Sequence, residues 1–142
     1  MPIVDLPLDE RNIIITRSKE GILEIKKIFT SKGANVFDLP AISIGDPDDL
    51  NPLDEALNQI NDFHWIIFSS SNGIKFVDKR LRFFNSSLKE CSKKTKIAVV
   101  GEKTSKTLDD FGIKADFIPP EFVAESLIDN FPVSGYGLRV FV

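Results

Sequence analysis

Histidine and cysteine are nearly missing from this chain: His64 and Cys91 are the only ones in 142 residues. A lone cysteine cannot close an internal disulfide, which fits a reducing compartment and predicts a cytoplasmic protein. It also has no second Cys or His placed to make a metal site. Positive charge is not in excess. Eighteen Lys and Arg against 21 Asp and Glu leave a net charge of −3, which excludes a protein that works by neutralising nucleic-acid phosphates. No apolar run approaches the roughly 20 residues of a membrane helix. The start Met1-Pro2-Ile3-Val4-Asp5 lacks the basic segment that opens a secretory leader. Gly-x-Gly-x-x-Gly is absent, and Gly101-Glu102-Lys103-Thr104 lacks the earlier glycine of a phosphate loop. The acidic turn Gly45-Asp46-Pro47-Asp48-Asp49 lacks the ligand spacing and closing Glu of a calcium loop. No metal and no nucleotide cofactor are expected.

What is present is organised around Trp65-Ile66-Ile67-Phe68-Ser69-Ser70-Ser71-Asn72-Gly73. Four large apolar residues without alternation read as a strand buried on both faces, the usual state of a central parallel strand. After Gly73 the period changes: Ile74, Val77 and Leu81 lie on one face of a helix. The hydroxyl-rich turn therefore sits at the carboxyl end of a strand, where open α/β sheets bind ligands and where a helix start offers free N–H groups. The theme occurs twice more. Ile13-Ile14-Ile15 leads into Thr16-Arg17-Ser18, and Lys96-Ile97-Ala98-Val99-Val100 leads into Gly101-Glu102-Lys103-Thr104-Ser105. The simple alternative is that these residues only cap helices, at about 1 kcal/mol each. Three consecutive serines exceed what one cap requires.

The remaining chain fills in an α/β order. Residues 1–11 read as a loose leader. Ser18 is a plausible cap for a helix carrying Ile22, Ile25 and Phe29, closed near Gly33, and Val36 to Leu39 form the next strand. Ala41-Ile42-Ser43-Ile44 alternates as an edge strand does. Asn51 is expected to cap a helix with Pro52 at its first position, and Leu53, Ala56, Leu57 and Ile60 on its apolar face. Residues 85–95 read as an exposed loop. Leu108 and Phe111 face a helix ending at Gly112, and Phe117-Ile118 is a short strand. Val123, Leu127 and Phe131 mark a helix stopped by Pro132. After the turn Gly135-Tyr136-Gly137 comes the apolar strand Leu138 to Val142. Trp65 is read as core. His64 precedes its strand and is assigned to a loop or packing role. No nucleophile–base pair is legible.

In this order and spacing the pieces resemble the uroporphyrinogen-III synthase family. The residues that carry the resemblance are Ile13-Ile14-Ile15-Thr16-Arg17, Gly33-Ala34-Asn35-Val36-Phe37-Asp38-Leu39-Pro40-Ala41-Ile42 and Asp62-Phe63-His64 with the central stretch through Gly73. Ile97 to Thr104, Phe117-Ile118-Pro119, Ala124-Glu125-Ser126-Leu127 and Gly137-Leu138-Arg139-Val140-Phe141 complete the set. The resemblance implies two flavodoxin-like parallel-sheet lobes joined by extended connectors. It also implies a carboxylate-rich linear tetrapyrrole, hydroxymethylbilane, cyclised with inversion of its last ring and loss of water, without metal or cofactor. The family holds that substrate between its lobes through backbone N–H groups and hydroxyls at strand ends.

Carried over by position, the resemblance makes Thr16 and Arg17 substrate-binding residues of the first lobe. Ser69, Ser70, Ser71, Asn72 and Thr104 take that role in the second. Residues 1–40 are then the first βαβ portion of lobe 1, 41–51 a connector, and 52–142 an incomplete lobe 2. The family chain continues past Val142, and its tyrosine near the second connector has no counterpart, since Tyr136 stands in another context. A truncated chain is expected, with the family activity belonging to its full-length parent, a monomer acting on a small molecule. The competing reading is one flavodoxin-like module binding a phosphate-bearing ligand such as FMN on the serine turn. That reading requires the Ile13 strand to pair with the Trp65 strand. A phospho-receiver domain is set aside because Phe68-Ser69 stands where an Asp is needed.

Overall fold

The computed structural model describes residues 6–132 and 137–142, and they divide into two compact units, one ending at Asp48 and the other starting at Asp49. The leader Met1–Asp5 and the turn residues Gly135 and Tyr136 lie outside the described residues.

In the first unit, β1 (Asn12–Ile15) and β2 (Asn35–Asp38) flank α1 (Lys19–Ser31) and pair in parallel, with Ile13 opposite Val36 and Ile15 opposite Asp38. Consecutive β-branched isoleucines favour the extended strand. Asn35 Nδ2 donates to Asn12 Oδ1 across the pair at 3.2 Å. Ile15, Ile22 and Ala34 are the buried apolar residues here, while Ile14 and Phe37 remain exposed. Residues 6–11 are not a loose leader. The Leu8 amide donates to Lys32 O at 2.9 Å, and the turn sits on the carboxyl end of α1. Gly33 makes that seat possible. Its φ of +95° suits glycine, and a Cβ there would lie 2.9 Å from Leu6 Cβ. The alternating segment Ala41–Ile44 forms no strand. After the Ala41 amide donates to Thr16 O the backbone makes no ladder, and Ile42 and Ile44 are exposed.

The second unit is built on β3 (Trp65–Phe68), flanked in parallel by β4 (Lys96–Val99) and β5 (Val140–Phe141) in the order β4-β3-β5. Phe117 adds a single parallel bridge to Ala98, so the short strand expected at 117–118 is one bridge long. The unbroken apolar runs carry a hidden period of two. Ile66, Phe68, Ile97 and Val99 face a core with Ile74, Val77, Leu81 and Leu108, supplied by α3 (Ser71–Phe83) and α5 (Glu102–Asp110). Trp65 and Ala98 face the other way, toward Leu127 of α6 (Ala124–Asp129). Helix α6 is shorter than its sequence pattern because Phe131 leaves the helix to pack on Trp65, with ring centroids 4.9 Å apart.

Two further expectations are corrected. Helix α2 (Asn51–Asn58) begins at Asn51 instead of after it. Leu50 is its cap position, and the Asp49 carboxylate accepts from the Asn51 amide at 2.9 Å. Within the expected loop 85–95 lies α4 (Leu88–Cys91), a single turn capped by Ser87 with Leu88 and Cys91 buried.

Candidate functional site

Strands β3 and β4 end level with one another. The Val100 amide donates to Phe68 O at 3.0 Å, the last rung of their ladder, so the two strand-to-helix turns start side by side. Each turn solves its helix start differently. Ser70 has extended backbone and its Oγ accepts from the Gly73 amide at 3.2 Å, an N-cap that satisfies one free donor of α3. Gly101 caps α5 at φ +101°, with no side-chain acceptor. Among the described residues, the amides of Ser71, Asn72, Glu102, Lys103 and Thr104 therefore have no acceptor. Two adjacent helix starts with unfilled N–H groups favour an anion at the carboxyl edge of this sheet.

The hydroxyls have divided tasks. Ser69 and Asn72 are exposed and make no side-chain hydrogen bond among the described residues, which leaves both for a ligand. Ser70 is occupied as the cap. Ser71 joins the two turns, with its Oγ 3.3 Å from Lys103 O and 2.9 Å from Thr107 Oγ1. Thr104 is buried in the first turn of α5. Thr107 escapes motif reading as an ordinary helix-interior residue. Its signal is a second hydroxyl three residues after Thr104, near the same helical face.

Glu102, at the mouth of α5, is drawn back along the helix to Lys106 at 2.9 Å. That hydrogen bond and the lysine charge hold its carboxyl below the usual range. His64 sits at the opposite end of β3, where its Nδ1 accepts from the Arg139 amide at 3.0 Å, a packing role. In the first unit, Thr16 and Arg17 occupy the equivalent place after β1, both exposed. Thr16 O accepts from Ala41, and the Arg17 side chain lies along α1, its Nε 3.2 Å from where a Gly21 Cβ would stand. Ser18 stands at the cap of α1 without a side-chain hydrogen bond, so its hydroxyl does not close the helix start.

These features define an α/β protein with parallel sheets and hydroxyl- and amide-lined turns at strand carboxyl ends. The family model "HEM4: Uroporphyrinogen-III synthase HemD" matches residues 24–142, and the chain belongs to this family. It is 40% identical over 136 residues to the uroporphyrinogen-III synthase of Synechococcus elongatus, covering 94% of this chain and 50% of that one. It is 31% identical over 116 residues to the porphyrin biosynthesis protein HemD of Ruminiclostridium josui, covering 82% of this chain and 23% of the relative. The chain thus spans half the length, or less, of these curated relatives. A crystal structure of a mutant uroporphyrinogen III synthase from Thermus thermophilus superposes with a TM-score of 0.63 at 10% identity, covering 83% of this chain and 46% of the other. That likeness shows the fold.

Proposed function

We propose that this chain belongs to a uroporphyrinogen-III synthase that closes hydroxymethylbilane into a macrocycle with inversion of the last ring and loss of water. The observation that carries the reading is the family match over residues 24–142. The chemistry asks for little from side chains. The hydroxymethyl carbon gives up hydroxide, helped by electron donation from its own pyrrole ring. The new C–C bond forms at the carbon of the last ring that already carries a bridge. The bond from that carbon to its old bridge then breaks and re-forms at the ring's other α carbon, and the proton released there balances the hydroxide as water. What decides the product is how the chain of rings is held while this happens.

The paired turns suit that task. Ser69 and Asn72 offer free polar groups, and the unfilled amides of α3 and α5 take carboxylates. Thr16 and Arg17 do the same at the end of β1, Arg17 adding a full positive charge. One exposed helix terminus is worth only about 0.3–1 kcal/mol toward an anion. Tight binding therefore comes from summing several carboxylates over several turns, as a polycarboxylate substrate allows. In this reading residues 1–40 are the first portion of one lobe, 41–51 the connector, and 52–142 most of the second lobe. The enzyme works as a monomer in the cytoplasm on a small molecule, not on nucleic acid. Among the described residues no helix is long and apolar enough to cross a membrane. The flavin-module alternative is not favoured, because β1 and β3 belong to separate sheets.

The test is to supply hydroxymethylbilane to the native protein carrying this chain and separate the macrocycle isomers. Formation of the inverted-ring isomer above the uncatalysed background is expected. Production of the un-inverted isomer alone would sink the assignment.

A further inference from the structure

We propose that Thr107 is a positioning residue that sets the alignment of the two anion-binding turns. The proposal deepens the reading above and rests on it. Thr107 lies on α5, is 9% exposed, and its Oγ1 is 2.9 Å from Ser71 Oγ and 3.0 Å from Lys103 O. Ser71 Oγ is itself 3.3 Å from Lys103 O. Two hydroxyls carry two protons, so only two of the three contacts are hydrogen bonds at one moment. Thr107 donates to Ser71 and Ser71 to the carbonyl, or Ser71 donates to Thr107 and Thr107 to the carbonyl, or both hydroxyls donate to the carbonyl. The two shortest contacts, at 2.9 and 3.0 Å, both involve Thr107 and favour the second arrangement, in which the first turn of α3 is tied to the first turn of α5 through it.

The strand ladder fixes only the roots of these turns, through the Val100 to Phe68 bond at 3.0 Å. Their tips carry the unfilled amides of Ser71, Asn72, Lys103 and Thr104, and the tips are joined by this hydroxyl pair. A substrate held by several weak donors depends on their spacing, because a misplaced donor contributes little. Thr107 is buried behind the turn, so it acts through Ser71 and Lys103 and not by touching the ligand. A hydroxyl used only for helix stability would bond its own preceding turn. Here the bond to Lys103 O is of that kind, and the bond to Ser71 crosses to another helix.

The test compares Thr107→Val, which keeps the shape and removes the hydroxyl, with Thr107→Ser, which keeps the hydroxyl. Both are made in the native protein, with thermal midpoint, KM, kcat and the ratio of inverted to un-inverted macrocycle measured. Thr107→Val should raise KM by roughly 3- to 10-fold with kcat little changed, as expected when binding contacts are spoiled. It should also raise the un-inverted share, and Thr107→Ser should return KM to within about 2-fold of wild type. A residue that served stability alone would lower the folded fraction, and so kcat, at unchanged KM. That outcome, or failure of Thr107→Ser to restore KM, overturns the proposal and leaves the function standing. If Thr107→Val does not fold, Thr107→Ala provides the same KM comparison against Thr107→Ser. A wild-type protein that forms no inverted isomer would overturn both the function and this inference.

Discussion

Arg80 grips Asp54 with two hydrogen bonds, Nε to Oδ1 at 2.6 Å and a terminal nitrogen to Oδ2 at 2.5 Å, while its guanidinium lies over Phe83 and Phe84. Each of the two side chains is only 21% exposed, whereas in the pairs Arg82–Asp78, Lys93–Glu90, Lys106–Glu102 and Lys114–Asp109 at least one partner stands well out in water. The bidentate contact holds the Asp54 carboxyl below its usual range. The sign follows from linkage: a depressed folded pKa contributes stability above the ordinary carboxylate value and loses it as pH falls through the folded value. Asp54→Asn should therefore lower the thermal midpoint at about pH 7. The gap from wild type should shrink as pH falls below the ordinary carboxylate value and close once pH has fallen through the lower folded value. A gap that stays constant across acid titration would show that the ionised pair is not its source. Cys91 moves the other way: burial pushes its thiol up, consistent with a core role. At this scale the sequence was a good guide to place and a poor guide to task. Three adjacent serines stand at a strand end as expected. Yet one caps a helix, one ties two helices together through partners 32 and 36 residues away, and one makes no side-chain hydrogen bond among the described residues.

At the scale of elements, α4 shows what periodicity misses. Residues 85–95 contain a single large aliphatic side chain, too little for any period, and a four-residue helix is too short to display one. The legible signal was local: Ser87 followed by Glu90 is the spacing of a capping box, and Ser87 Oγ does accept from the Glu90 amide at 3.2 Å. The other half of the box is spent elsewhere, since the Glu90 carboxylate pairs with Lys93. What holds the turn is tertiary. Leu88 is completely buried, and its amide donates to Asp78 Oδ1 at 2.9 Å, a carboxylate on α3 that also accepts from Arg82. Leu88→Ala should therefore cost about 2–5 kcal/mol in denaturant unfolding, in line with other buried leucines. Lys89→Ala, one residue on and exposed, should stay within about 0.5 kcal/mol. Equal small losses for both would mean that α4 lies on the core without contributing to it. The long buried strands and the helices with three or more apolar turns were legible because burial on both sheet faces and a steady helical face each leave a pattern. Ala41–Ile44 had a strand's alternation and no neighbour to pair with, so its isoleucines stay in water.

For the whole molecule, the two units differ in what they bury. The second assembles a continuous core from Leu57 and Ile60 through Ile66, Ile74, Leu81 and Leu88 to Ile97, Val99 and Leu108, with a second cluster around Trp65. Helices cover one face of its sheet, and α6 with Phe131 covers part of the other. The first unit has two paired strands and one helix, and leaves Ile14, Leu23, Phe37, Leu39 and Ile42 between 55% and 66% exposed. Two strands with one helix bury too little apolar surface to offset the backbone entropy of roughly 1–2 kcal/mol per ordered residue. Chains near 40 residues also rarely fold without a disulfide, metal or partner. A fragment of residues 49–142 is therefore expected to fold alone, with a cooperative thermal transition and a dispersed amide NMR spectrum. A fragment of residues 1–48 should show neither, and its helical signal by circular dichroism should fall gradually on heating. A cooperative transition in the shorter fragment would mean that its exposed isoleucines and phenylalanine are tolerated at a smaller cost than their area implies. Failure of the longer fragment to fold would mean that its core needs the first unit, and the division at Asp48 would then not mark a folding boundary.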